Sequence, residues 1–453
     1  MFKKFRLTMS LIVLLLATLA CGLPAIPTPP PGDVIETNVA ATVESLFSDA
    51  TPTAADLAAA TPVEPRATET PAPLDTPIPA AAGELQVVFV QTGNLWLWRA
   101  GGGAVQLTSD GGAAQARLSP DGLKVAYSRW MTEFNKELWL INSDGTGNRM
   151  LLSAEDIASL DTEKSLSLYD FWWLPDSQRI GYETQFVVEI GVPRNMDFQV
   201  IDTLTGERGT FVPAGQGGNV LASPDGQKLA VTTATDIRVI ELATGLQRML
   251  LSYPFIYTYS EWAYIPTPVW SNDSESLGVI IPPQESLGVE TVSGTLWVVP
   301  LRAAPYAAAE VHLSPIFLGP YLSVAPSLNY YLHGTGNEPG LTQVNLGTVI
   351  PPLTQTLMGG ELGPNRWAAD SGHYFLTQTD GDGGSTLYVA APGSAPLVLA
   401  GDVQSESVRW VGTDQLIFIR VASGSRELHL VTLTGTDTLI VVGGDDLSFD
   451  IRQ

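Results

Sequence analysis

The chain has 453 residues, a formal net charge of −24 and a single cysteine. A surface this acidic repels nucleic acid and gains nothing from anionic lipid headgroups. Cationic ligands, divalent ions or basic partners remain, unless the charge serves solubility alone. One thiol excludes a disulfide framework and a cysteine-built metal site.

The first element is a targeting segment over residues 1–20. A basic stretch with Lys3, Lys4 and Arg6 precedes an apolar run at Leu11–Leu16, which is too short to read as a membrane span. Thr18-Leu19-Ala20-Cys21 then resembles a lipobox, although Thr18 stands where such boxes favour Leu. That resemblance implies cleavage before Cys21 and acylation of its sulfur and amine, hence a lipid anchor in an extracytoplasmic membrane surface. The plainer alternative is an ordinary secretory signal followed by an incidental Cys. Residues 21–83 form the second element. Their Pro, Thr and Ala content cannot bury a core and predicts a semi-rigid linker that holds the rest away from the bilayer.

From residue 84 to 453 the chain is one repeat array. A hydrophobic or aromatic residue is followed at +3 by Asp or a small polar residue, and at +7 and +9 by apolar residues. Leu118, Asp121, Val125 and Tyr127 show it, as do the units opened by Trp173, Trp270 and Trp367. Ala222 and Trp410 open weaker copies, and Val324 with Ser327 is the poorest. Turn chemistry such as Ser119-Pro120-Asp121-Gly122 lies inside each unit, and period-two strands surround it. Four short strands per unit make a propeller blade. The third strand recurs about every 48 residues from Leu95 to Leu428. The prediction is an all-β, eight-bladed β-propeller, or seven-bladed if the unit around Leu322–Val344 packs as an insertion. Leu447–Ile451 is expected to complete the first blade and remove its open edge.

The stretch Ser119–Tyr127, with Glu137-Leu138-Trp139-Leu140-Ile141-Asn142 and Asp144-Gly145-Thr146-Gly147, closely resembles the repeat of TolB-type propellers. Propeller domains of dipeptidyl-peptidase-like proteins share it. The resemblance spans roughly 85–453 and is best at 115–152 and 219–251. A weaker one, carried by Val200–Gly206, is to eight-bladed outer-membrane assembly lipoproteins of the BamB kind. Both bear on fold, since propellers host unrelated functions.

Strand parity assigns the tight Ser-Pro-Asp-Gly and Thr-Gly turns to one face of the array. The long second-to-third loops and blade links fall on the other, which is therefore the expected working surface. Candidate binding residues there are Trp130, Phe134, Phe186, Arg194, Tyr257, Tyr259, Trp262, Tyr264, Asp380 and Asp382. Aromatics with a polar handle suit protein or glycan ligands. The period-two spacing of Tyr253, Phe255, Tyr257 and Tyr259 fits the packed face of a strand, and packing is favoured over binding for this stretch. Asp380-Gly381-Asp382 lacks the remaining ligands of a calcium loop and fits a hairpin turn. His312, His333, His373 and His429 lie in different repeats at no metal-binding spacing. No nucleophile elbow or phosphate loop is found. The sequence-based expectation is a monomeric, membrane-anchored binding module for protein or glycan, with no cofactor, no metal and no catalysis. The alternatives are a glycan-active enzyme with its site in the axial channel, and an envelope assembly scaffold of the BamB or TolB kind.

Overall fold

The computed structural model describes residues 85–132, 135–186, 194–257, 263–284, 292–313, 322–335, 343–360, 362, 366–379, 384–422 and 424–451. The targeting segment, Cys21 and the linker lie outside these residues. The protein is a β-propeller built of small antiparallel sheets. The first sheet orders Gly103–Gln106, Asn94–Arg99, Gln86–Gln91 and Ser448–Ile451, so the last strand of the array pairs with the first, Val87 opposite Ile451.

Five further four-stranded sheets follow in chain order. The second runs Ala113–Leu118, Lys124–Trp130, Lys136–Asn142 and Arg149–Leu152, and the third Leu166–Trp173, Arg179–Phe186, Phe198–Asp202 and Arg208–Val212. Asn219–Ala222 opens the fourth, Val269–Trp270 the fifth and Leu322–Val324 the sixth. The poorest sequence copy thus forms its own sheet, with Tyr330–Thr335, Gln343–Thr348 and Leu353–Gly359, instead of packing as an insertion.

A seven-stranded sheet ends the series. Its halves, Tyr374–Val403 and Arg409–Gly443, are joined by one ladder contact, Val403 with Arg420. The halves also pack face to face: Phe375, Leu387 and Val389 of one share an apolar cluster with Trp410, Leu416 and Phe418 of the other. Counted separately, they bring the strand groups to eight.

The turns explain themselves chemically. In the second sheet Ser119 Oγ donates to Asp121 Oδ1 at 2.6 Å and accepts from the Lys124 N–H at 2.9 Å, while Gly122 takes a positive φ of 74°. Ser223 with Asp225, and Ser271 with Asp273, repeat the arrangement. Such locally satisfied turns fix strand register.

The core lies between sheets. Among the described residues, apolar clusters join each strand group to the next: Leu138 and Ala126 meet Phe171 and Trp173, and Ala230 and Ile237 meet Trp270 and Leu277. The last group meets the first through Ile417, Ile419 and Leu428 against Val87 and Phe89.

Polar bonds stitch the same seams. Trp173, Trp270, Trp367 and Trp410 each donate an indole N–H to a carbonyl of the preceding innermost strand or its lead-in, at Arg117, Leu221, Ser323 and Arg366. Four residues after three of these indoles, Ser177, Ser274 and Ser371 sit at positive φ. Their hydroxyls accept the N–H groups of Asp121, Asp225 and Ser327 across the seam. The first residue of the repeat is therefore aromatic because it bridges sheets as well as filling them.

Candidate functional site: a cavity at the starts of the innermost strands

The innermost strands begin on the face that strand parity assigns to the long loops and links. A cavity of about 580 Å³ opens there, where the first, second and seventh sheets meet. Gly93, Ala113 and Ala114 leave the space, and Val90, Ile419, Leu447 and Phe449 supply an apolar floor. Its polar lining is Arg409, Arg426, Glu406, Asp445 and Asp446. Asp446 is anchored by the Gly93 N–H at 2.8 Å.

Arg409 donates through Nη1 to the carbonyls of Glu406 and Val408, at 2.7 and 2.8 Å. Among the described residues no carboxylate pairs with it. It is exposed to solvent at the cavity. Desolvation by the surrounding protein, with repulsion from Arg117, pulls its pKa down, and Asp450 and Glu406 only partly oppose it.

Further along the same strands Arg117 lies between two carboxylates, Asp170 at 3.6 Å and Asp450 at 3.8 Å. Gln115 Nε2 donates to Asp170 at 2.7 Å, and the Leu118 N–H donates to Asp450 at 3.0 Å. Burial raises the Asp450 pKa despite the pull of Arg117 and the backbone donor.

The residues singled out in the sequence separate. Trp130, 48% exposed, stands at the cavity, with the Lys136 ammonium 4.5 Å from its ring centroid. Phe186 is half-buried against the core beneath Lys164, 5.5 Å away. Arg194 joins the third and fourth sheets: Nη2 donates to Glu183 Oε2 and to the Gly218 carbonyl, both at 2.6 Å, above the Tyr169 ring. Burial pushes Glu183 up to about 7, against the opposing pull of Arg194.

Tyr257 is 58% exposed beside Phe255. Tyr264 is buried and donates its hydroxyl to the Ile280 carbonyl at 2.8 Å, so it packs instead of facing solvent. Among the described residues of the aromatic link the period-two pattern produces no strand: Tyr253, Ile256 and Tyr264 pack inward, and Tyr257 forms an isolated bridge with Ala263. Phe134, Tyr259, Trp262, Asp380 and Asp382 lie outside the described residues.

Sequence reasoning missed Arg117 and Arg409. Each stands immediately before the residue that opens a repeat unit, Leu118 and Trp410. Strand alternation turns that position away from the seam. Arg366 precedes Trp367 in the same way but is buried over Phe375.

Among the described residues there is no group of three or more His, Cys, Asp or Glu poised for a metal ion. No helix among them is long and apolar enough to cross a membrane. His429 is committed within its sheet, Nδ1 to Asp437 at 2.7 Å and Nε2 to Glu427 at 3.1 Å.

No protein-family model matches the sequence, and no curated protein matches it. Solved structures do. A eukaryotic initiation factor is similar with a TM-score of 0.50 at 10% identity, covering 82% of this chain and 99% of that one. TolB from Acinetobacter baumannii is similar with a TM-score of 0.36 at 13% identity, over 73% of this chain and 83% of its own. The β-propeller domain of the Trilobed protease from Pyrococcus furiosus gives 0.44 at 12% identity, over 73% and 97%. At such identities the likeness is one of fold.

Proposed function

We propose that this protein is a lipid-anchored, extracytoplasmic β-propeller that binds a protein or glycan on its loop-bearing face and catalyses nothing itself. The observation that carries the reading is the cavity: it opens on the face that gathers the long loops, with an exposed indole, Trp130, at its rim. Loops on a rigid scaffold are where binding residues concentrate, and tryptophan is prominent among residues that dominate binding energy. The anchor rests on the sequence around Cys21.

Two measurements test the two halves. Cells fed labelled palmitate should label the wild-type protein and not Cys21→Ser; equal labelling removes the anchor. Pull-down with the full chain and with Trp130→Ala should show loss of the captured partner, about 30-fold in affinity if Trp130 contributes 2 kcal/mol. Unchanged capture removes this face from the account. Point substitution is preferable to excising residues 253–268, because Tyr253, Ile256 and Tyr264 belong to the core.

A second reading has one observation in its favour. Asp170 and Asp450 face each other across Arg117, and the Asp450 pKa is raised. An acid–base pair of a channel enzyme could be built from them. Turnover of an envelope glycan that vanishes in Asp450→Asn would replace the binding reading with this one.

A further inference from the structure

The cavity lining carries both signs of charge, and among the described residues Arg409 and Arg426 form no direct ion pair with Glu406, Asp445 or Asp446. Among the described residues Arg409 is bonded only through Nη1, and Nε and Nη2 have no partner there. Arg426 spends Nη1 on the Asp445 carbonyl and pairs with no carboxylate among the described residues. Among the described residues the Asp445 side chain has no partner, and Glu406 receives a single donor, Gln404 Nε2 at 2.7 Å.

A purely anionic ligand would meet Glu406, Asp445 and Asp446; a purely cationic one would meet Arg409 and Arg426 with Arg117 behind them. Guanidinium donors match a carboxylate in a two-pronged geometry, and partial enclosure strengthens the match. The apolar floor of Val90, Ile419 and Phe449 leaves room for a hydrocarbon side chain. The volume falls within the range of small-ligand sites.

We propose that this cavity binds a zwitterionic ligand of the amino-acid or short-peptide class, its carboxylate on Arg409 and Arg426 and its ammonium beside Asp445 and Glu406. The inference rests on reading the cavity as a binding site, and names the ligand chemistry that the site accepts.

Calorimetric titration of the full chain in detergent tests it with three probes: trialanine with free termini, trialanine amidated at its C-terminus, and N-acetyl-trialanine. A pool of mixed tripeptides in the same three forms removes dependence on side-chain choice. The free form should bind at least tenfold more tightly than either blocked form. Arg409→Gln and Arg426→Gln should weaken the free form by tenfold or more while leaving the amidated form unchanged. Asp445→Asn should erase the preference for a free amine.

The blocked probes act on unaltered protein, so the comparison survives if a variant fails to fold. Equal binding of free and blocked forms overturns the proposal. So does absence of binding by every probe at millimolar concentration. If Trp130-dependent capture of a partner persists in that case, the binding module stands and only the ligand class falls. If tripeptides bind through Arg409 while Trp130→Ala captures normally, the ligand class stands and the macromolecular partner binds elsewhere than at this cavity.

Discussion

Glu183 is 3% exposed, and among the described residues its carboxylate pairs with one cation, Arg194. Desolvation outweighs that pairing and lifts the folded-state pKa from 4.5 to about 7. Between those two values the folded protein keeps a proton that the unfolded chain has released. Stability therefore declines as pH rises through this window and levels off above it, by at most about 3 kcal/mol. Glu183→Gln carries no such proton. Urea titrations of both proteins across the window should show the wild type losing ground to the variant as pH rises; parallel curves would mean that Arg194 holds the carboxylate ionised throughout. Nothing in the sequence around Glu183 announces this, because the effect depends on Arg194 arriving from across a loop and on Gly218 from the next sheet. Asp144, fully exposed and served by Thr146, shows the opposite direction, its pKa lowered by local hydrogen bonds.

The repeat was legible as strands and turns because its chemistry is local: Ser119, Asp121 and Gly122 satisfy one another within a few residues. Its seams were not, because Trp270 meets Leu221 only after two sheets have stacked. In the aromatic link packing was anticipated, but not the residues that carry it. Tyr253, Phe255 and Tyr257 alternate as a strand would, yet Pro254 interrupts the run with a residue that has no N–H to donate. Burial there follows Tyr253, Ile256 and Tyr264 instead. At the cavity only Trp130 was anticipated. Arg409 and Arg117 escaped because the aromatic or apolar residue that opens each unit carries the repeat, and each arginine occupies the position just before it. The seam itself can be tested. Trp270→Phe preserves most of the ring's bulk and deletes the donor to the Leu221 carbonyl. The expected loss is about 1–3 kcal/mol in urea denaturation, with an unchanged slope. A loss near zero would show that the ring's packing, and not its N–H, secures the seam.

For the molecule as a whole, the pairing of Ser448–Ile451 with Gln86–Gln91 concentrates the risk in a few residues. Leu447 and Ile451 are buried, and Phe449 packs in the same cluster with Val87 and Phe89. Removing residues 447–453 would strip the innermost strand from the first sheet and empty one wall of the cavity. The truncated protein should unfold at lower urea and be cut by protease within 86–106 first; resistance equal to the full chain would mean that the first sheet holds without its partner. The same pairing has a temporal side. A ribosome releases Gln86–Gln91 more than 300 residues of synthesis before Ser448 exists. Throughout that interval the earliest strands wait with an unmatched backbone edge, and the array cannot reach its final state until Ser448–Ile451 has been made. Long-range pairing of this kind is slow to form, which leaves a window in which the unfinished chain can be handled, threaded or degraded.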